Sequence, residues 1–244
     1  MPIAPDFTSI LNKDWEINFL QCYPNGFLKY TDLCNLLQLT AAAHAEIGGI
    51  SFTDMQVYGQ AWVMSKMRVE IARLPQWKET VRVKTWIKTL ENSRSVRCLE
   101  VYCGEEKLVG CETYWVVFNT NTRRPEQLAL PFDHFQLFPT AATAEEYSRI
   151  DIAQPNTVLA ERKVVLSDLD IVNHTNSVKY LEWCLDQMNP SLVTNQKIKS
   201  FEMNYLKEVV LNDLVAITES TSETSKVFTV EKEGKVCFAL QTFF

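Results

Sequence analysis

The chain has 244 residues, 46% of them apolar, with only 7 glycines and 9 prolines; that provides a sizeable core and excludes a disordered or fibrous chain. Its net charge of −6 excludes general affinity for nucleic acid. No window approaches the ~18 consecutive apolar residues of a membrane-spanning helix, which excludes membrane insertion through one.

In chain order, Met1 to Trp15 show neither a basic start nor an apolar run, so no signal peptide is expected. "TDLCNLLQLTAAAHAEIGG" (31–49) then predicts a helix. Leu33, Leu36, Leu37 and Ala41–Ala43 have helical spacing, Thr31 or Asp32 can cap the start, and Gly48–Gly49 can stop it. Period-2 runs follow: "KMRVEIA", "VRVKTWI" (81–87), "VRCLEVY" (96–102) and "ETYWVVF" (112–118). Such alternation predicts an antiparallel sheet with one buried face. "NTNTRR" (119–124) is turn-like, and the polar stretch 140–157 reads as a linker or a connection crossing the surface.

The layout then repeats. "ERKVVL" (161–166) predicts a short strand, and residues 176–188 a helix with Val178, Leu181, Leu185 and Met188 on one face, ended by Asn189–Pro190. "KSFEMNYLKEV", "LVAITES", "KVFTVEK" and "VCFALQTFF" predict further strands. Each half is thus a lead-in strand, one helix and several strands: an α+β arrangement present twice, divided as 1–140 and 158–244 by a linker at 141–157.

Seven cysteines are scattered with no CxxC pair, which fits reduced thiols in a cytoplasmic protein. No His/Cys cluster has zinc spacing, so no metal site is expected. Basic residues gather at Arg68, Arg73, Lys78, Arg82, Lys84, Lys88, Arg94, Arg97, Arg123 and Arg124. They read either as solvated strand faces or as a landing surface for an acidic partner.

"SDLDIVNHTNSVKYLEW" (167–183) crowds polar groups just ahead of the second helix. One reading is a helix cap supplied by Thr175, Asn176 or Ser177. The other is a reactive site. Unpaired N–H groups at a helix start polarise a carbonyl or hold an oxyanion, and an adjacent His174, oriented by Asp170, moves a proton near neutral pH. The sequon "NHT" (173–175) is read as chance, given no export signal.

This stretch resembles the active-site segment of the acyl-acyl carrier protein thioesterases, usually D-x-D-x-N-x-H-V-N-N-x-K-Y-x-x-W. "WVMSKMRVEIARLPQWKETVRVKTW" (62–86), "TYWVVFNTNTRR" (113–124) and "NYLKEVVLND" (204–213) are similar to other segments of the family, in order and over nearly the whole chain. The resemblance implies two tandem hot-dog domains, the first binding the acyl chain and the second carrying the catalytic groups. It implies hydrolysis of the thioester between a fatty acyl chain and an acidic carrier protein, with no metal or dissociable cofactor.

It places the functional Asp on Asp170, the His on His174, the acidic residue on Glu208 and the helix-start Asn on Asn176. Two positions depart: Val172 stands where the family has Asn, with Asn173 beside it as the candidate to take that catalytic role through a local backbone shift, and Val209 stands where the family has Cys. Without that thiol, water activated by Glu208 is the expected nucleophile, with N–H groups of Thr175, Asn176 and Ser177 expected at the oxyanion. Against these roles, Asp170 also reads as a turn residue, His174 as a cap-region histidine and Glu208 as a solvated strand carboxylate. His44, in the first helix, reads as a core or surface histidine, and His134 as a loop residue. An acyl-coenzyme A thioesterase and a non-catalytic acyl-binding protein are the rival functions. A homodimer is compatible with the layout, although the duplication already supplies a domain pair.

Overall fold

The computed structural model describes residues 3–153, 156–222 and 224–244. Its strands are β1 (Ile10–Glu16), β2 (Gln60–Ile71), β3 (Thr80–Glu91), β4 (Arg94–Cys103), β5 (Glu106–Asn119), β6 (Arg124–Pro125), β7 (Thr157–Lys163), β8 (Ser200–Tyr205), β9 (Leu214–Thr221), β10 (Ser225–Lys232) and β11 (Lys235–Phe243). The helices are α1 (Tyr30–Ile47), α2 (Phe52–Gln56), α3 (Ser177–Leu185) and α4 (Pro190–Thr194).

Among the described residues the strands form one sheet in the order β1-β3-β4-β5-β2-β8-β11-β10-β9-β7, with β6 beside β5. The pairings are antiparallel, as the alternation requires: Val81 and Val83 of β3 are buried while Arg82 between them is exposed. Helix α1 packs against β1, β3 and β4, and α3 against β10 and β11. A helix laid on one face of an antiparallel sheet, twice in one chain, is the tandem hot-dog arrangement.

The two halves meet at β2 and β8, where Lys66–Glu70 pair with Ser200–Asn204. Their apolar interiors merge. Leu33 and Leu37 of α1, Met67 of β2, Leu181 of α3, Met203 of β8 and Phe238 of β11 belong to one core. The halves expected at 1–140 and 158–244 therefore share a sheet and a core.

The expected linker is a strap across the outer face of this seam; its residues 154 and 155 lie outside the described residues. Trp86 Nε1 donates to the Thr140 carbonyl (3.1 Å), Ala142 N–H to Glu112 (3.1 Å), Ala144 N–H to Glu70 (2.7 Å), and Ser148 Oγ to Glu202 (2.7 Å). Gly110 lets it lie flat: a Cβ there would stand 2.1 Å from the Ala142 carbonyl oxygen.

Several element boundaries differ from expectation. Lys29, whose side chain makes no capping bond, precedes α1, while Asp32 lies within the first turn, where a carboxylate suits the helix dipole. Asn189–Pro190 opens α4 instead of merely ending α3, because Asn189 caps it and proline loses nothing at the first helical position. The strand expected through Val209 stops at Tyr205, which leaves Glu208 on a loop. Strand β7 lies earlier than 161–166, and Leu166–Asp168 form a 3₁₀ turn.

Candidate active site

Two loops of the C-terminal half carry the site. The first, 164–176, joins β7 to α3. Buried Asp168 anchors it by accepting from Val165 N–H (2.9 Å) and from the Arg162 guanidinium (3.1 Å). The next turn closes on itself. Asp170 N–H donates to the His174 carbonyl (2.8 Å), and Asp170 Oδ1 accepts from the N–H groups of Val172 (2.9 Å) and His174 (3.1 Å). Asn173 takes φ 62°, a left-handed conformation that asparagine tolerates better than most residues. Asn176 caps α3 by accepting from Val178 N–H (2.9 Å).

The second loop follows β8. The Val209 carbonyl accepts from Thr175 N–H (2.8 Å), and His174 pairs with Val210 as an isolated bridge. Val209 is fully buried, and Glu208 points the other way, as neighbours on extended chain do. Glu208 Oε2 lies 3.5 Å from His174 Nε2. The same oxygen accepts from Arg123 Nη2, which reaches over from the turn after β5 in the N-terminal half. Around this pair the surface is apolar: Leu166, Ile171, Val172, Val210 and Leu211 are exposed. A cleft of about 480 Å³ between α1 and α3 meets the site at Asn176, its walls including Tyr23, Asp32, Lys179 and Asp186.

The structure thus brings His174 and Glu208 together and places Asp170, Asn173 and Asn176 beside them, with three departures from expectation. Asp170 bonds the backbone N–H of His174 instead of its ring, so it orients the imidazole through the turn. The carboxamide of Asn173 makes no hydrogen bond among the described residues; its backbone conformation is what the turn uses. Asn176 is the helix cap, as one of the two readings of the segment had it. The N–H groups of Thr175 and Asn176 are not free, since they donate to Val209 and Asp168 (2.8 Å each). Of the three expected oxyanion donors, only Ser177 N–H has no partner among the described residues.

Thiol chemistry has no group here. Cys184 and Cys237 are buried, and burial pushes both thiols up, away from thiolate. The basic cluster is also largely spoken for. Arg68 is buried on Glu70 and Glu202, Arg73 pairs with Glu79 and Glu106, Arg82 with Asp14, Lys88 with Glu112, and Arg97 is buried against His44. Arg94 and Arg124 are exposed, with no carboxylate partner among the described residues.

A repeat hidden in the sequence shows here. The segment from Asn18 to Tyr30 has the backbone hydrogen bonds of the segment from Val165 to Ser177. Cys22 bridges Leu28 as Leu169 bridges Thr175, and Phe27 bridges Gln76 as His174 bridges Val210. Tyr23 N–H donates to Phe27 as Asp170 does to His174, and Leu28 N–H donates to Pro75 as Thr175 does to Val209. Gly26 matches Asn173 in its positive φ. Tyr23, Phe27, Lys29 and Leu74 thus stand where Asp170, His174, Asn176 and Glu208 stand in the second half. The fold builds the loop twice, and the second copy alone carries the titratable set. The signal in the sequence was weak, because the copies share backbone-bonding positions and almost no side chains.

The model of the acyl-ACP thioesterase N-terminal domain matches residues 9–132, and that of the C-terminal domain residues 153–242 (ACP, acyl carrier protein). A chloroplastic palmitoyl-acyl carrier protein thioesterase of Cuphea hookeriana is 29% identical over 205 residues, 76% of this chain and 49% of the relative. The chain therefore spans about half the length of the curated relatives it matches. The crystal structure of an acyl-ACP thioesterase from Bacteroides thetaiotaomicron superposes with a TM-score of 0.89 at 26% identity, covering 97% of this chain and 98% of the other. The 12:0-ACP thioesterase from Umbellularia californica shares the fold, with a TM-score of 0.81 at 20% identity over 97% of both chains. With both family models matched in order along nearly its whole length, the chain belongs to the acyl-ACP thioesterase family.

Proposed function

We propose that the protein hydrolyses the thioester of fatty acyl-ACP, releasing a free fatty acid and the carrier thiol. The observation that carries this is Glu208 beside His174 at the start of α3, in a chain of this family. Glu208 takes a proton from water as the oxygen attacks the thioester carbon. The tetrahedral oxyanion lies toward the start of α3, where Ser177 N–H remains open. Collapse breaks the C–S bond, and the departing thiolate takes a proton delivered through His174. The relatives named for acyl carrier protein substrates and the exposed Arg94 and Arg124 support an acidic carrier as partner. The N-terminal half, whose own loop lacks the titratable set, is free to hold the acyl chain.

Fatty-acid release from acyl-ACP by the purified protein tests this reading. His174→Ala and Glu208→Gln are each expected to lower kcat by at least ~10²-fold; full turnover by either variant would refute the assignment. A second reading, acyl binding without hydrolysis, is favoured by Val172, which presents an exposed apolar side chain in the His174 turn where the resembled motif has an amide. A native protein that binds acyl-ACP without turnover, with hydrolysis appearing in Val172→Asn, would establish it.

A further inference from the structure

Arg123 is held by a turn built to present it. Asn119 Oδ1 accepts from the N–H groups of Asn121 (2.9 Å) and Thr122 (2.8 Å), and Arg123 N–H donates to the Asn119 carbonyl (2.9 Å). Thr120 ties the turn to Gly59 through its N–H (2.8 Å) and its hydroxyl (2.9 Å). Arg123 itself has φ 59°, uncommon for a residue with a Cβ. Such backbone strain persists where surrounding bonds fix it, and it concentrates at functional positions.

The guanidinium could extend into water. It crosses to the other half of the molecule and bonds the one Glu208 oxygen that faces His174. Stability does not account for this. The two side chains are 53% and 39% exposed, and ion pairs so exposed contribute only about 0–1 kcal/mol. What the contact does accomplish is geometric. With Oε2 between Arg123 and His174, one orientation of the carboxylate is favoured, and Oε1, which has no partner among the described residues, is left to accept a proton from water.

We propose that Arg123 is a positioning residue for the hydrolysis: it fixes the Glu208 carboxylate with Oε2 toward His174 and Oε1 toward the attacking water. This rests on the thioesterase reading above. The N-terminal half thereby supplies part of the site, and catalysis requires both halves docked.

The test compares wild type, Arg123→Gln, Arg123→Lys, Glu208→Gln and the Arg123→Gln/Glu208→Gln double variant. Each acts on two substrates: acyl-ACP and an acyl thioester of N-acetylcysteamine, which has neither carrier nor phosphate. Arg123→Gln is expected to lower kcat 10- to 100-fold (order of magnitude) on both substrates, with KM changed far less. Arg123→Lys is expected to recover part of the loss. On the Glu208→Gln background, removing Arg123 should cost nothing further. Unchanged kcat in Arg123→Gln would overturn the inference. So would a loss confined to acyl-ACP, which would make the arginine a phosphate or carrier contact, or a loss equally large without Glu208. Thermal melting of each variant shows that it is folded. A wild type inactive on both substrates would overturn the thioesterase reading itself, and this inference with it.

Discussion

His44 and Arg97 show how one residue's environment sets its chemistry. Both are buried between α1 and the sheet. His44 Nε2 donates to the Thr8 carbonyl (2.9 Å), so Nδ1 is the acceptor that meets Arg97 Nη1 (2.7 Å). Arg97 also donates to the Thr85 hydroxyl (3.2 Å). Burial, and then the adjacent guanidinium, lower the His44 pKa from 6.5 to about 3, while burial lowers that of Arg97 to about 10. The folded chain therefore keeps His44 neutral where the unfolded chain protonates it. The resulting stability is complete above pH 6.5 and declines as pH falls toward 3, with a slope approaching about 1.4 kcal/mol per pH unit. Denaturant midpoints measured between pH 7 and 5 should fall in the native protein and fall less in His44→Gln. Parallel curves would show that His44 does not carry this dependence.

At the scale of elements, α3 and its leading loop are one device. Asn176 both starts the helix and ties the loop to Asp168 through its own N–H. Loss of the capping oxygen costs about 1 kcal/mol in typical helices. Asn176→Ala is thus expected to lower stability by about that amount and, because the cap orients the Ser177 N–H, to lower kcat more than a surface cap elsewhere would. Asn189→Ala, at the cap of α4, is the control: similar loss in urea melts, unchanged turnover. The strap makes a second element-scale prediction. Gly110→Ala drives a Cβ into the Ala142 carbonyl, so the strap must lift from β5, and limited proteolysis should then cut within 140–150 faster than in the native protein.

Across the whole molecule, the seam between β2 and β8 decides whether the halves act as one. Arg68 reaches across it to Glu202 (2.5 Å), both buried, and Glu202 also receives Ser148 of the strap. Removing one partner of a buried pair typically costs about 3–5 kcal/mol when the remaining charge has no other partner. Arg68 keeps Glu70 (2.9 Å), so Glu202→Ala should destabilise by about 3 kcal/mol or less. Because sheet and core are continuous, calorimetry should show one unfolding transition in the native protein. Two well-separated transitions would contradict the single-core description.

By itself the sequence determined most of the local structure and pointed to the two segments that form the candidate site. Alternation in β2 to β5 and β9 to β11 follows directly from which side chains must leave water, and α1 shows its buried stripe at helical spacing. Asp170 and His174 were legible because a D-x-D-x-x-x-H segment ahead of a helix is a local pattern, whereas Glu208, 34 positions later, was reached only through the family resemblance. Tertiary structure alone decided the rest. Arg123 and Glu208 are 85 positions apart and meet only because β2 pairs with β8. The N–H groups of Thr175 and Asn176 looked free because their acceptors, Val209 and Asp168, are fixed by loop pairing and turn closure, not by helix periodicity. Most of the basic residues looked like an open surface because their carboxylate partners lie on neighbouring strands or across the seam. Periodicity states which face of an element is apolar; it does not state what that face, or the polar one behind it, will touch.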